Sequence, residues 1–349
     1  MTEAVIRFGL IGAGGIAQSY VQAFQNLTIA RLVGIADLNA EAAQKLASQA
    51  GCRAYGNYEA LAEEWELDAV IICTPPVSHP EIATFFSQRK VHVLCEKPLS
   101  IDVSSAELMM DTAQRNGVKL TMASKFRYVE DVVRAKSIVR SGILGELLLV
   151  ENAFTSHIDM SKRWNSQREI SGGGVLIDNG THSIDIMRYF LGPLAELQVI
   201  EGVRGHNLEV EESVQVYIRS IGGVQGRIDL SWSVNKELER YNNSYGTKGT
   251  VVVGWKSSKY RQNTSTEWIT FGQGYDKVQA FRSNIINFCG GIRGEEALLV
   301  TACDAIASVE VIEAAYDALQ KSHWTKISHA LDKNYLGLVD QEAQLRKIA

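Results

Sequence analysis

The chain has 349 residues, enough for about two domains and for a hydrophobic core that needs no disulfide or metal staples. Hydrophobic residues make up 46% of it and charged residues 21%, the balance of a globular protein rather than a disordered or fibrous one. Against 35 Lys and Arg stand 40 Asp and Glu, a formal charge of −5 that argues against a nucleic-acid partner, and no apolar run reaches the roughly 18 residues of a membrane span.

The start, with Glu3 and then an apolar run, lacks the basic region and cleavage site of a secretory signal. Cys52, Cys73, Cys95, Cys289 and Cys303 are odd in number and scattered, so neither a disulfide framework nor a thiolate zinc site is expected. These points predict a reducing, cytoplasmic location.

The first half alternates strand and helix patterns. Val5 to Ile11 reads as a buried strand. Residues 16–27 then carry Ile16, Tyr20, Ala23, Phe24 and Leu27 on one helical stripe. A strand over 29–36 and a helix over 40–50 follow. Strand 69–73, helix 79–89, strand 91–94, helix 101–116 and strand 118–122 complete the series, with Asn116-Gly117 as a helix stop. Repeated strand–helix units predict a parallel, doubly wound sheet ending near residue 123.

The second half, 124–349, reads as α+β. A helix over 129–140 stops at Ser141-Gly142, and strands are expected at 147–156 and 194–203. Val214 to Ile221 and Val224 to Trp232 flank Gly222-Gly223, a hairpin signal. Further strands are expected at 250–253 and 266–271, and helices at 275–289 and 295–320. The pattern predicts a large, mostly antiparallel open sheet with helices on one side. The polar tail from 322 is expected to pack on or cross back over the body.

Gly12-Ala-Gly14-Gly15-Ile16-Ala17 follows a strand and opens a helix, the arrangement of a Rossmann dinucleotide fingerprint with Ala in the third place. Gly12 permits the turn, Gly14 lets backbone approach a pyrophosphate, and the helix amides beyond receive its charge. Asp37 ends the second strand, where a carboxylate accepts hydrogen bonds from ribose hydroxyls and repels a 2′-phosphate. NAD is therefore expected rather than NADP. Asp37 is equally suited to cap the next helix.

Two loops at carboxyl ends of strands carry further candidates. Thr74-Pro75-Pro76 forms a stiff wall beside the cofactor. His79 opens the next helix, either as packing or as part of that wall. Glu96-Lys97-Pro98 places a lysine within reach of a cofactor ribose and a substrate oxygen. Further on, Ser171 to Asp185 holds three consecutive glycines, then Asp178 and His182 four residues apart on one helical face. A carboxylate there orients an imidazole and raises its basicity. His157 is the nearest other histidine, and no zinc ligand set is evident.

These motifs together resemble the oxidoreductase family typified by glucose-fructose oxidoreductase and inositol 2-dehydrogenase. The resemblance runs through GLIGAGGIA, CTPPVSHPE at 73–81, CEKPLS at 95–100, GGGVLIDNGTHSID at 172–185 and the closing helix before Lys321, so it spans essentially the whole chain. It implies reversible hydride transfer between NAD(P) and a secondary alcohol or ketone of a cyclic polyol or sugar. It implies Lys97 as active-site lysine, with Asp178 and His182 as its catalytic partners. It also implies a cis or strained Lys97-Pro98 junction, and a homodimer or homotetramer built on the large sheet. Some relatives use bound NAD transiently for epimerisation, elimination or glycoside cleavage, and a non-catalytic NAD-binding protein is a further alternative. Lys125, Arg127, His157, Arg163 and Trp164, near the expected domain junction, are candidate substrate contacts, with Asp178 and His182. Lys125, Arg127 or Arg163 is also suited to a substrate carboxylate or phosphate.

Overall fold

The structure is a computed structural model that describes residues 4–328. Its first sheet is built from β1 (Ile6–Ile11), β2 (Ala30–Ala36), β3 (Arg53–Tyr55), β4 (Ala69–Ile72), β5 (His92–Cys95) and β6 (Leu120–Met122). All neighbours run parallel in the order β3-β2-β1-β4-β5-β6. The crossovers are α1 (Gly15–Phe24), α2 (Ala40–Ala50), α3 (Tyr58–Glu64), α4 (His79–Gln88) and α5 (Val103–Arg115). The chain leaves β1 toward β2 on one side and returns to pair β4 on the other. The crevice at the carboxyl ends of β1 and β4 is therefore the switch point where such sheets bind ligands.

The helices start and stop where local chemistry dictates. Asn39, Asn57 and Asp102 accept hydrogen bonds from the first-turn amides of α2, α3 and α5. Asn39, not Asp37, is the cap of α2. Gly51 closes α2 at a left-handed φ of 68°. The segment from Arg53 to Glu64 carries β3 and α3, elements too short to show a periodic pattern in the sequence.

The rest of the chain forms α6 (Glu130–Arg140), β7 (Leu147–Thr155), the short α7 (Arg168–Ser171), α8 (Val175–Leu191), β8 (Leu194–Glu201), β9 (Ser213–Ser220) and β10 (Gln225–Ser231). It continues with β11 (Arg240–Gly246), β12 (Gly249–Gly254), β13 (Ser258–Gln262), β14 (Ile269–Gly272), α9 (Lys277–Arg293), α10 (Ala302–Lys321) and β15 (Thr325–Lys326). These strands make one sheet in the order β14-β13-β12-β11-β7-β10-β9-β8-β15. Within this sheet β7 and β10 are the one parallel pair among the described residues, and the other neighbours run antiparallel. Alternation decides the faces: Val214, Val216 and Ile218 of β9 turn inward, while Gln215, Tyr217 and Arg219 turn out. Helices α6, α8 and α10 cover the inner face. Strands β11 and β13 had no counterpart in the sequence pattern.

Two helices tie the halves together. Phe281 and Phe288 of α9 join Phe8, Tyr20 and Phe24 in one core, so the chain returns to the first sheet after building the second. The helix expected over 295–320 begins only at Ala302, where Thr301 and Asp304 form a reciprocal capping box. The preceding stretch is tied down by Asn287, whose side chain bonds both Leu299 N and Ala297 O. Of the tail, Thr325–Lys326 pairs with β8. The expected crossover beyond 328, and the reading of Glu3, lie outside the described residues. No described helix is long and apolar enough to cross a membrane.

Candidate active site

At the switch point β1 runs into Gly12 at φ 96°, where a Cβ would meet the Cys73 carbonyl at 2.9 Å. Only glycine suits both demands. Gly14 and Gly15 are exposed, and a Cβ on either would meet nothing within 4 Å. Among the described residues no side chain caps α1, so its first-turn amides are open to an external anion. Ala17 is fully buried against the sheet. Asp37 Oδ2 accepts from Ala13 N at 2.6 Å and Oδ1 from Asn39 N at 2.7 Å. Two bonds leave about half of the carboxylate's acceptor positions for ribose hydroxyls while pinning the glycine turn. These residues fit a dinucleotide: a backbone cradle without side chains at the pyrophosphate, and an acid at the ribose.

The neighbouring strand ends supply the rest. Thr74 and Pro75 follow β4, and Glu96 and Lys97 follow β5 and lead into a cis Lys97-Pro98 bond. His79, considered as part of the cofactor wall, is completely buried. Its Nε2 faces Thr74 O at 2.8 Å, and its Nδ1 faces Pro98 O at 3.0 Å and Leu99 O at 3.3 Å. It bolts the Thr74 loop to the Lys97 loop and does not reach the cleft. Glu96 is buried too: its carboxylate accepts from Tyr20 Oη at 2.9 Å and Lys97 N at 3.1 Å, and burial raises its pKa.

Helix α8 brings Asp178 and His182 to the same place. Its start is anchored by Glu211, whose Oε1 accepts from Gly174 N, Leu176 N and Tyr316 Oη, while Glu211 O accepts from Val175 N. A Cβ on Gly174 would lie 2.1 Å from Glu211 O, and one on Gly173 would lie 1.8 Å from Tyr316 Oη. The glycine run is thus what lets β9's leading segment and α10 close on the helix start.

Lys97 Nζ donates to Asp178 Oδ1 at 2.6 Å and to Asp178 O at 2.9 Å. Asp178 was expected to orient His182; among the described residues it bonds Lys97 instead. The His182 ring stands edge-on to Phe126, with centroids 5.0 Å apart. Burial, and next the charges of Lys97 and Lys125, push its pKa well below 6.5, the reverse of the raised basicity expected. The imidazole is therefore neutral at neutral pH.

Lys97, Asp178 and His182 line one cleft of about 530 Å³ with Ile16, Thr74, Glu96, Lys125 and Arg163. Asn165, Asn179, Thr155 and Ser156 add neutral polar groups to it, and Phe126, Phe154 and Trp255 its apolar walls. Phe154 was legible as an inward position of β7; Trp255, just past β12, carried no signal. Three expected substrate contacts are elsewhere. Arg127 is buried in ion pairs with Asp185 at 2.8 Å and Asp304 at 3.2 Å. His157 is exposed and packs on the His206 ring, and Trp164 is exposed outside the cleft lining. Among the described residues no three His, Cys, Asp or Glu side chains gather as a metal site.

The model of an oxidoreductase family with an NAD-binding Rossmann fold matches residues 6–124, and that of the GFO/IDH/MocA C-terminal domain matches 132–252. The chain is 24% identical to glucose-6-phosphate 3-dehydrogenase of Bacillus subtilis (strain 168) over 92% of its length and 99% of the relative's. It is 24% identical to inositol 2-dehydrogenase of Rhizobium meliloti (strain 1021) over 93% and 99%. Among solved structures, levoglucosan dehydrogenase in complex with NADH and levoglucosan superposes with a TM-score of 0.85 at 19% identity, covering 93% of this chain and all of the other. Two adjoining family matches, the glycine cradle and the switch-point cleft make this chain a member of the GFO/IDH/MocA family of NAD-binding oxidoreductases.

Proposed function

We propose that the protein is an NAD-dependent dehydrogenase that interconverts a secondary alcohol and the ketone of a sugar or polyol. The observation that carries this reading is a lysine held by a carboxylate and a neutral imidazole lining one cleft beside the glycine turn. Bound NAD supplies the hydride acceptor. Two of the three Lys97 N–H donors are engaged by Asp178, which leaves the third for the substrate oxygen. That donor stabilises the charge that develops on the oxygen as hydride departs. His182, neutral and bordered by the cleft, accepts the hydroxyl proton in oxidation and returns it in reduction. Asp178 is a positioning residue for Lys97. Phe126, Phe154 and Trp255 offer apolar faces to the C–H side of a ring, and Asn165, Asn179, Thr155 and Ser156 offer partners to its hydroxyls.

Similarity to dehydrogenases of glucose 6-phosphate, inositol and levoglucosan supports this substrate class. Asp37 supports NAD over NADP. A homodimer or homotetramer on the polar outer face of the large sheet, in the reducing cytoplasm that five free cysteines suit, completes the proposal. The test is a fluorescence titration with NADH and NADPH, followed by a screen of cyclic polyols and sugars for NADH formation. Tighter NADH binding and turnover of at least one ring alcohol are expected. Cofactor binding without turnover of any would overturn the dehydrogenase reading.

A further inference from the structure

The cleft holds three cations, Lys97, Lys125 and Arg163, and two carboxylates, Glu96 and Asp178. Both carboxylates are engaged inside the protein, Asp178 with Lys97 Nζ and Glu96 with Tyr20 Oη and Lys97 N. Lys97 is engaged in turn. The other two cations are not: among the described residues neither Lys125 Nζ nor the Arg163 guanidinium makes a hydrogen bond or ion pair.

Lys125 is half-buried, with its ammonium 5.4 Å from the Phe126 ring centroid, 5.8 Å from Phe281 and 6.0 Å from Tyr275. Ring faces compensate a cation only in part, and its N–H donors remain without acceptors. Arg163 stands on a fixed backbone: its N–H donates to Met160 O, and its carbonyl accepts from Ser166 N and Ser166 Oγ. Arg163 is exposed and borders the cleft, so its guanidinium is open to a ligand there.

We infer that the substrate carries an anionic group, a carboxylate or a phosphate, beside the hydroxyl that reacts, and that Lys125 and Arg163 receive it. The inference rests on the dehydrogenase reading and narrows its substrate class. Neutral hydroxyls already have partners in Thr155, Ser156, Asn165 and Asn179, so two further cations exceed what an uncharged polyol requires. The cofactor's pyrophosphate has its own seat at the amides of α1. Burial pulls the Lys125 pKa down to about 8, with Glu96 opposing that shift and Lys97 and Lys277 adding to it, so the ammonium remains charged at neutral pH. A bound anion offsets the burial cost of that ammonium.

The test is calorimetry on NADH-loaded protein with three matched ligands: a neutral sugar, its sugar acid and its sugar phosphate. At least one anion is expected to bind about tenfold or more tighter than the neutral parent, and the stronger arm tells carboxylate from phosphate. Arg163→Gln and Lys125→Gln are each expected to cut that preference by about tenfold, with a much smaller change in NADH affinity on the same proteins. A neutral parent that binds as tightly as both anions would overturn the inference. So would variants that lose NADH affinity and keep the anion preference, because the cations would then serve the cofactor. Anion-selective binding with no NADH formed when the same ligands are incubated with NAD would instead remove the dehydrogenase reading and leave the anion site standing.

Discussion

Replacing Lys97 by Met removes the ammonium and keeps an unbranched side chain one atom shorter. Its Nζ makes two short bonds to Asp178 and has one donor left for a substrate oxygen. A single preorganised donor to a developing oxyanion is worth about 3–4 kcal/mol, so kcat should fall by roughly 10²–10³-fold. The Lys97 and Asp178 side chains are 15% and 22% exposed, so leaving Asp178 without its cation should cost about 1–3 kcal/mol of stability, a loss the fold can bear. Asp178→Asn keeps an acceptor near Lys97 but removes the charge, and should cost about tenfold. Because Asp178 acts through Lys97, the double variant should be no worse than Lys97→Met alone. The assay is steady-state oxidation at saturating NAD, with NADH affinity and thermal melting measured on the same proteins. Multiplicative losses in the double variant, or a kcat held within tenfold while NADH affinity collapses, would refute this arrangement.

Other consequences are open to measurement. His182 has its folded pKa well below 6.5, so the unfolded chain binds more protons just under that pH; stability should fall on acidification below about 6.5, and less so in His182→Asn. The same shift puts the acid limb of the kcat/KM profile below 6.5, measured across a pH series. Gly14→Val should weaken NADH binding with an unchanged melting temperature, because its side chain meets open space. Gly174→Ala should cost about 1–3 kcal/mol in denaturant titration by driving a Cβ into Glu211 O. For an anionic substrate, KM should rise as pH passes about 8 and Lys125 loses its proton, with Glu96, Lys97, Lys277 and Asp178 the charged groups that set that point.

What could be read in the sequence follows from range. The glycine turn, the strand ends that carry Thr74 and Lys97, and the hairpin at Gly222-Gly223 are local patterns, and each lies where expected. β3 spans only Arg53–Tyr55, too short for a periodic signal. β11 hid because Asn242 and Ser244, fully buried between β7 and β12, read as turn residues. The Thr301–Asp304 cap was visible as a T-x-x-D pattern and would have moved the start of α10. Arg127 looked like a site cation because its partners, Asp185 and Asp304, are 58 and 177 residues away in the chain. Asp178 and His182 share a helix face, but which cation the carboxylate chooses depends on a loop 81 residues earlier.

The most direct test of hydride transfer in this cleft is isotopic. NAD would be incubated with a panel of ring polyols, sugars, sugar acids and sugar phosphates deuterated at the carbinol carbons, and the reduced nicotinamide analysed by mass spectrometry. Deuterium is expected in the dihydronicotinamide for at least one substrate, and is expected to be lost in Lys97→Met. No reduction of NAD by any of them, or NADH formed without the label, would contradict that expectation.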